Sequence, residues 1–147
     1  MDNYARRIDG NAPMKLHHLG YAVPKISYVV GRFLAEGSTI VSPIILDPVL
    51  DVNVQFVELA DSEILVELLE PVSDQSPVRT FLRRGNGIYH LCFEVPDLQS
   101  QLDLERAKHS IIVVNPTKSE VFFGNYGKVA FVVRRSGMLI EFLETKE

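Results

Sequence analysis

The sequence predicts a mixed α+β fold in which two βαβββ modules, duplicated and diverged, pair around a shared cup. Two internal matches carry this reading. His18-Leu19-Gly20-Tyr21-Ala22-Val23-Pro24 lines up with His90-Leu91-Cys92-Phe93-Glu94-Val95-Pro96, 72 residues on. Leu65-Val66-Glu67-Leu68-Leu69-Glu70 lines up with Leu139-Ile140-Glu141-Phe142-Leu143-Glu144 at nearly the same offset. Size is the third observation: 147 residues, 46% hydrophobic and 23% charged, suffice for one domain with its own core. The expected division is a tail over 1–13 and a single domain over 14–147. Within it, repeats over about 15–71 and 87–145 are joined by a helix near 76–84.

In the first half, Lys15 to Val23 has the β-branched and aromatic content of a strand, and Pro24 closes it. Ile26, Val29, Val30, Phe33 and Leu34 then fall at helical spacing, with Gly37 placed as a stop. Thr39 to Leu46, Val52 to Leu59 and Glu63 to Leu69 follow as strands, the last two joined by a turn at Asp61-Ser62. Ser76-Pro77 has the order of an N-cap followed by proline at the first helical position, and Phe81 and Leu82 form that helix's apolar side. The second half repeats the scheme. Ile88 to Val95 is a strand, Asp97 caps a helix running to about Lys108, and strands follow near Ile111, over Lys128 to Val133 and over Met138 to Leu143. Ser136-Gly137 supplies the last hairpin turn.

Fifteen Lys and Arg against 19 Asp and Glu leave a net charge of −4, without the electrostatic footprint of a nucleic-acid binder. The single cysteine, Cys92, excludes an intramolecular disulfide and a cysteine-based zinc site. Met1 to Pro13 carries Asp2, Arg6, Arg7 and Asp9 and no apolar run, so no signal peptide is expected. Arg32, Glu36, Pro43, Asp47 and Pro48 interrupt the longest apolar stretch, Ile26 to Leu50, so no membrane span is expected. The expectation is a cytoplasmic homodimer that works on a small molecule, with no nucleic-acid or membrane partner.

Strand alternation decides where the repeated polar residues point. Leu19, Tyr21 and Val23 share one face, as do Leu91, Phe93 and Val95, and these large apolar side chains should meet the helices. His18 and His90 then face the cup. The same alternation separates Glu67 from Ile64, Val66 and Leu68, and Glu141 from Ile140 and Phe142. A carboxylate inside an apolar run is costly to bury unless it is paired or binds a metal. Pseudo-twofold symmetry brings His18, Glu67, His90 and Glu141 together. Two imidazoles and two carboxylates suit one divalent ion such as Co, Mn, Ni, Zn or Fe, and four ligands leave octahedral positions open to substrate. The expected architecture is therefore a metal-binding cup. His17 is expected on the helix side or at an edge, not as a ligand. Cys92 has the parity of a cup residue and reads as a small buried hydrophobe.

With these residues in hand, the chain resembles the vicinal oxygen chelate superfamily, the glyoxalase, bleomycin-resistance and extradiol dioxygenase group. Within it the likeness is to the methylmalonyl-CoA epimerases. It rests on His17-His18-Leu19-Gly20, on Glu67-Leu68-Leu69-Glu70-Pro71 followed by Ser76-Pro77 and Phe81-Leu82, and on Gly87-Ile88-Tyr89-His90. Gly127-Lys128-Val129-Ala130-Phe131 and Gly137-Met138-Leu139-Ile140-Glu141 complete it.

The resemblance implies a glyoxalase-like fold and places the family's metal ligands on the same four residues. It implies an isomerase, of racemase or epimerase type, or a lyase. In such enzymes the ion polarises a carbonyl, the neighbouring C–H becomes acidic and an enolate is stabilised. The expected substrate is a small acyl or acyl-CoA compound. An epimerase needs two bases: one resembles Glu141, and the other aligns with Gln55, whose amide cannot act as a base. Gln55 is therefore expected to line the cup and orient substrate, while Glu58 is expected toward the helices. A glyoxalase- or lyase-type isomerase, or a non-catalytic ligand-binding protein of the bleomycin-resistance kind, is the alternative. Phe122, Phe123 and Tyr126 are expected as an aromatic lip, and Arg79, Arg83, Arg84, Lys118 and Lys128 as the basic residues available to CoA phosphates.

Overall fold

Pro24 ends the first strand, and each half then runs strand, helix, strands in the expected order. The computed structural model describes residues 13–122, 124 and 126–146, so the expectations for the tail, beyond Pro13, and for Phe123 lie outside the described residues. The elements are β1 (Lys15–Ala22), α1 (Ile26–Ala35), β2 (Thr39–Ile40), β3 (Ile45–Asp47), β4 (Val52–Glu58) and β5 (Leu65–Pro71). A short α2 (Pro77–Leu82) leads to β6 (Gly87–Val95), α3 (Leu98–Ala107), β7 (Ile111–Lys118), β8 (Tyr126–Val133) and β9 (Leu139–Thr145). No helix among them is long and apolar enough to cross a membrane.

All strands belong to one sheet of order β2-β4-β5-β1-β6-β9-β8-β7, with β3 added to β4. In each half the first strand pairs parallel with the last, β1 with β5 and β6 with β9. The two first strands pair antiparallel with each other. The two modules thus share one continuous sheet. β1 and β6 each leave one edge of unpaired N–H and C=O groups within their own half, and joining those edges satisfies both ladders. The single strand expected over Thr39 to Leu46 is also divided. Pro43 has no N–H to donate, and β2 and β3 lie on either side of it.

Alternation sorts the core into two helix-side clusters and two on the cup side, the smaller of these formed by Cys92, Val129 and Leu143. Val66 and Leu68 of β5 pack with Val23, Ile26 and Val57 beside α1. Ile140 and Phe142 of β9 pack with Leu98, Leu102, Ala130 and Val132 beside α3. The concave side holds Val52, Val54, Phe56, Leu69, Val121 and Phe131. Two carboxylates at equivalent places fasten the helices: Glu70 Oε1 accepts from the Ile26 amide at 2.8 Å and Glu144 Oε2 from the Leu98 amide at 2.9 Å. Each ties the last strand of its half to the start of that half's helix, where free amides and the helix dipole favour an anion.

Candidate metal centre

The seam between β1 and β6 builds the site. Across it Gly20 stands opposite His90 and His18 opposite Cys92, while Glu67 pairs with Gly20 from β5 and Glu141 with Cys92 from β9. Register thus delivers one imidazole and one carboxylate from each half to the same point. Gly20 makes the approach possible: a methyl group there would collide with the His90 ring, coming within 2.7 Å even of Nε2.

The four side chains are 0 to 4% exposed, and one donor atom from each lies within 4.8 Å of the others. His18 Nε2 and His90 Nε2 are 3.1 Å apart. Glu67 Oε1 lies 3.3 Å from the first and 3.4 Å from the second, and Glu141 Oε1 lies 3.2 Å from each. Despite those distances Glu141 Oε1 completes no hydrogen bond among the described residues, and among them His90 Nδ1 is also without a partner. Two ring nitrogens and two carboxylate oxygens aimed at one buried point, with an acceptor left unsatisfied, fit a shared divalent cation.

The protonation of the cluster agrees. Burial pushes the Glu67 and Glu141 carboxyls upward, but the facing histidines outweigh it, holding Glu67 below the usual range and Glu141 at about 2. Burial works against charge on the histidines, yet both are raised, His18 by Cys92 and Glu67 and His90 by Glu141 and Glu67. Without an ion, protons on the imidazoles balance the carboxylates.

His17 is not on the helix side. A β-bulge between Leu16 and His18 inserts it as an extra residue against β6, which breaks the alternation and turns both histidines toward the cup. Its Nδ1 lies 2.8 Å from His18 Nδ1. With His18 Nε2 given to the cluster, the His18 proton belongs on Nδ1 and is donated to His17. Burial and the neighbouring His18 hold His17 down at about 4, so it is a neutral acceptor. Phe122 stacks on His18 with ring centroids 5.7 Å apart, and Phe122 and Tyr126 meet His17 edge-on at 5.3 Å, so these two residues form the expected lip. A cleft of about 230 Å³ opens beside His17, Phe56 and Phe122. Cys92 lies within reach of both histidines; burial pushes its thiol up, so it stays protonated and packs with Val129 and Leu143.

Gln55 does not line the cup. It pairs with Leu68, whose side chain packs on the α1 side, and its Nε2 donates to Ser42 O at 3.3 Å. The inward positions of β4 are Val52, Val54 and Phe56, while Glu58, of the same parity as Phe56, is exposed at the strand end. The expected facing of β4 is thus reversed at both residues.

The acid on the cup side is Asp47, which the sequence reading passed over. Asp47 pairs with Val52, is 6% exposed and accepts the Val49 amide at Oδ1, 2.9 Å away. Burial raises its carboxyl to about 6, with Glu67 and Glu141 adding to the rise and the Val49 amide and His90 opposing it. Its signal was present: Ile44-Ile45-Leu46-Asp47 is another carboxylate at the end of an apolar run.

Comparison with known proteins places this geometry. The profile of the Glyoxalase/Bleomycin resistance protein/Dioxygenase superfamily matches residues 17–131. The mitochondrial methylmalonyl-CoA epimerase of Dictyostelium discoideum is 30% identical over 135 residues, 88% of this chain and 78% of that protein. A hypothetical protein from Bacillus halodurans superposes with a TM-score of 0.78 at 28% identity, covering 92% of this chain and 97% of that one. A Streptomyces coelicolor methylmalonyl-CoA epimerase variant solved with 2-nitronate-propionyl-CoA gives 0.75 at 20% identity, with 92% and 100% covered.

Proposed function

The chain belongs to the glyoxalase/bleomycin resistance protein/dioxygenase superfamily, and from that premise we propose that it is a divalent-metal-dependent epimerase of an acyl-CoA, inverting the carbon next to the thioester carbonyl. The observation that carries the reading is the convergence of His18, Glu67, His90 and Glu141 with a further buried carboxyl, Asp47, on the same concave surface.

His18, Glu67, His90 and Glu141 would hold the ion. When bound, it supplies Lewis acidity toward the carbonyl and so acidifies the neighbouring C–H. The residues of the chain move the proton. Glu141, ionised at any ordinary pH, takes it from one face of the carbon. Asp47, held near 6, is poised to give or take it on the other, close to the value that serves both roles near neutrality. Phe56, Phe122 and Val121 exclude water around the cluster, which strengthens each charge interaction inside it. Two carboxyls with separated pKa values supply the acid and base of an inversion, a role Gln55 cannot fill.

The test is deuterium wash-in from D₂O at the acyl carbon, with each epimer of methylmalonyl-CoA offered to the Mn²⁺- or Co²⁺-loaded protein. The wild type is expected to exchange both epimers. Asp47→Asn should exchange one epimer only and invert neither. An Asp47→Asn protein that still inverts would point to one-base isomerase or lyase chemistry. Absence of exchange with any acyl-CoA in the loaded wild type would leave a ligand-binding protein.

A further inference from the structure

Beside the metal centre lies a second group of donors that the proposed reaction leaves unused. His17, His18 and Cys92 each bring one ring nitrogen or sulfur within 4.8 Å of the others. The two groups meet only at His18. Its Nε2 faces His90 and the two carboxylates, while its Nδ1 lies 2.8 Å from His17 Nδ1. The bulge in β1 makes this possible, because a regular strand sends consecutive histidines to opposite faces.

The donors of the two groups call for different ions. Glu67 and Glu141 give the centre oxygen ligands, which suit a divalent cation. The second group has a sulfur and no oxygen, which suits a soft cation of low coordination number such as Cu⁺. Charge points the same way. His18 and Cys92 are both 0% exposed, and Phe122, Val129 and Leu143 pack around the sulfur, so a site here favours a total charge of zero. One thiolate and two neutral imidazoles balance a single positive charge; a divalent ion would leave one charge uncompensated. The internal repeat does not account for the group. At an offset of 72 its counterparts are Tyr89, His90 and Gly20, with no sulfur and no second imidazole. A cleft of about 230 Å³, lined by His17, Phe122 and Tyr126, gives the way in.

We propose that His17, His18 and Cys92 form a separate soft-metal site for Cu⁺, and that filling it releases the divalent ion from the centre. The inference rests on the metal-centre reading above and adds a control on it. A neutral imidazole has one lone pair, so His18 serves either the centre through Nε2 or the soft site through Nδ1. When Cu⁺ binds, the Cys92 thiol gives up its proton to solvent and an S–Cu bond forms. The His18 proton leaves Nδ1, a proton occupies Nε2, and Glu67 and Glu141 accept it at 3.3 and 3.2 Å. Copper stays Cu⁺ throughout, with no change in oxidation state.

Anaerobic titration of the metal-free and the Co²⁺-loaded protein with Cu⁺ tests this, with bicinchoninate as the competing chelator. The wild type should bind one Cu⁺ per chain with a near-ultraviolet thiolate-to-copper band, and the visible Co²⁺ spectrum should disappear as it does so. Cys92→Ala should bind Cu⁺ about a hundredfold more weakly and keep both its Co²⁺ affinity and its Co²⁺ spectrum. Glu67→Gln should lose Co²⁺ and still bind Cu⁺ as wild type does. Unchanged Cu⁺ affinity in Cys92→Ala, or loss of Cu⁺ in Glu67→Gln, would place copper at the four-residue centre and overturn the soft site. A Co²⁺ spectrum that persists at full Cu⁺ occupancy overturns the release. The two readings fail separately. Cys92-dependent Cu⁺ binding in a wild type that never takes up Co²⁺ removes the divalent centre and keeps the soft site. Co²⁺ uptake without Cys92-dependent Cu⁺ binding does the reverse.

Discussion

Three single positions around the cluster are exposed to sharp tests. Gly20 is the floor under His90, so Gly20→Ala should push the ring off the cluster and abolish stoichiometric Co²⁺ binding in calorimetry, while Gly31→Ala, with open space around it, leaves binding intact. His17 fixes the His18 tautomer from behind. His17→Leu should weaken metal affinity by about 10- to 100-fold, the usual cost of removing a partner of a ligating histidine. His17→Asn, which keeps an acceptor, should recover part of the loss. Asp47 makes an opposite prediction for stability. Its folded pKa lies above the unfolded value, so its contribution is intact below about pH 4 and is lost as pH rises through about 6. Asp47→Asn should therefore stabilise the metal-free protein at pH 7 by about 3 kcal/mol at most, with no gain at pH 4 in urea unfolding. A destabilised Asp47→Asn protein at pH 7 would refute the burial argument.

The elements obey ordinary rules except where the site is made. Glu70 and Glu144 occupy equivalent helix-start positions, and replacing either by alanine should cost roughly 1 kcal/mol in thermal or urea unfolding. The near-equality of the two losses is the informative result, because it reports a shared structural job. Much of this level was legible beforehand. The caps at Asp97 and Ser76, the turn at Gly137 and the parity of β5, β6, β9 and of β1 from His18 onward all follow from local chemistry, and the internal repeat selects the four clustered residues. What stayed hidden depends on non-local pairing. The bulge at His17 exists only because β1 meets β6. The facing of Gln55 depends on which neighbour of Glu67 stands opposite β4, and the register gives that place to Phe56. Asp47 escapes because the sequence predicts one strand over Thr39 to Leu46, ending just before it.

At the scale of the molecule, each half contributes half of the cluster, so an ion bound there clamps the β1–β6 seam. Metal at about a hundred times its Kd should raise the unfolding free energy by about 2.7 kcal/mol, and EDTA should reverse the gain. The gain should shrink as pH falls, since protons raised onto His18 and His90 compete with the ion. A melting temperature indifferent to metal at pH 7.5 would contradict the clamp.

The near-twofold arrangement of His18, Glu67, His90 and Glu141 also bears on handedness. A half turn superposes the four donors on themselves but turns no molecule into its mirror image, so the centre is a chiral surrounding in its own right and its symmetry does not make two mirror forms equal. Asp47, on β3, stands outside the two matched pairs. In the proposed inversion the two faces of the carbon would therefore meet unlike partners, a carboxylate held at about 2 on one side and a carboxyl raised to about 6 on the other.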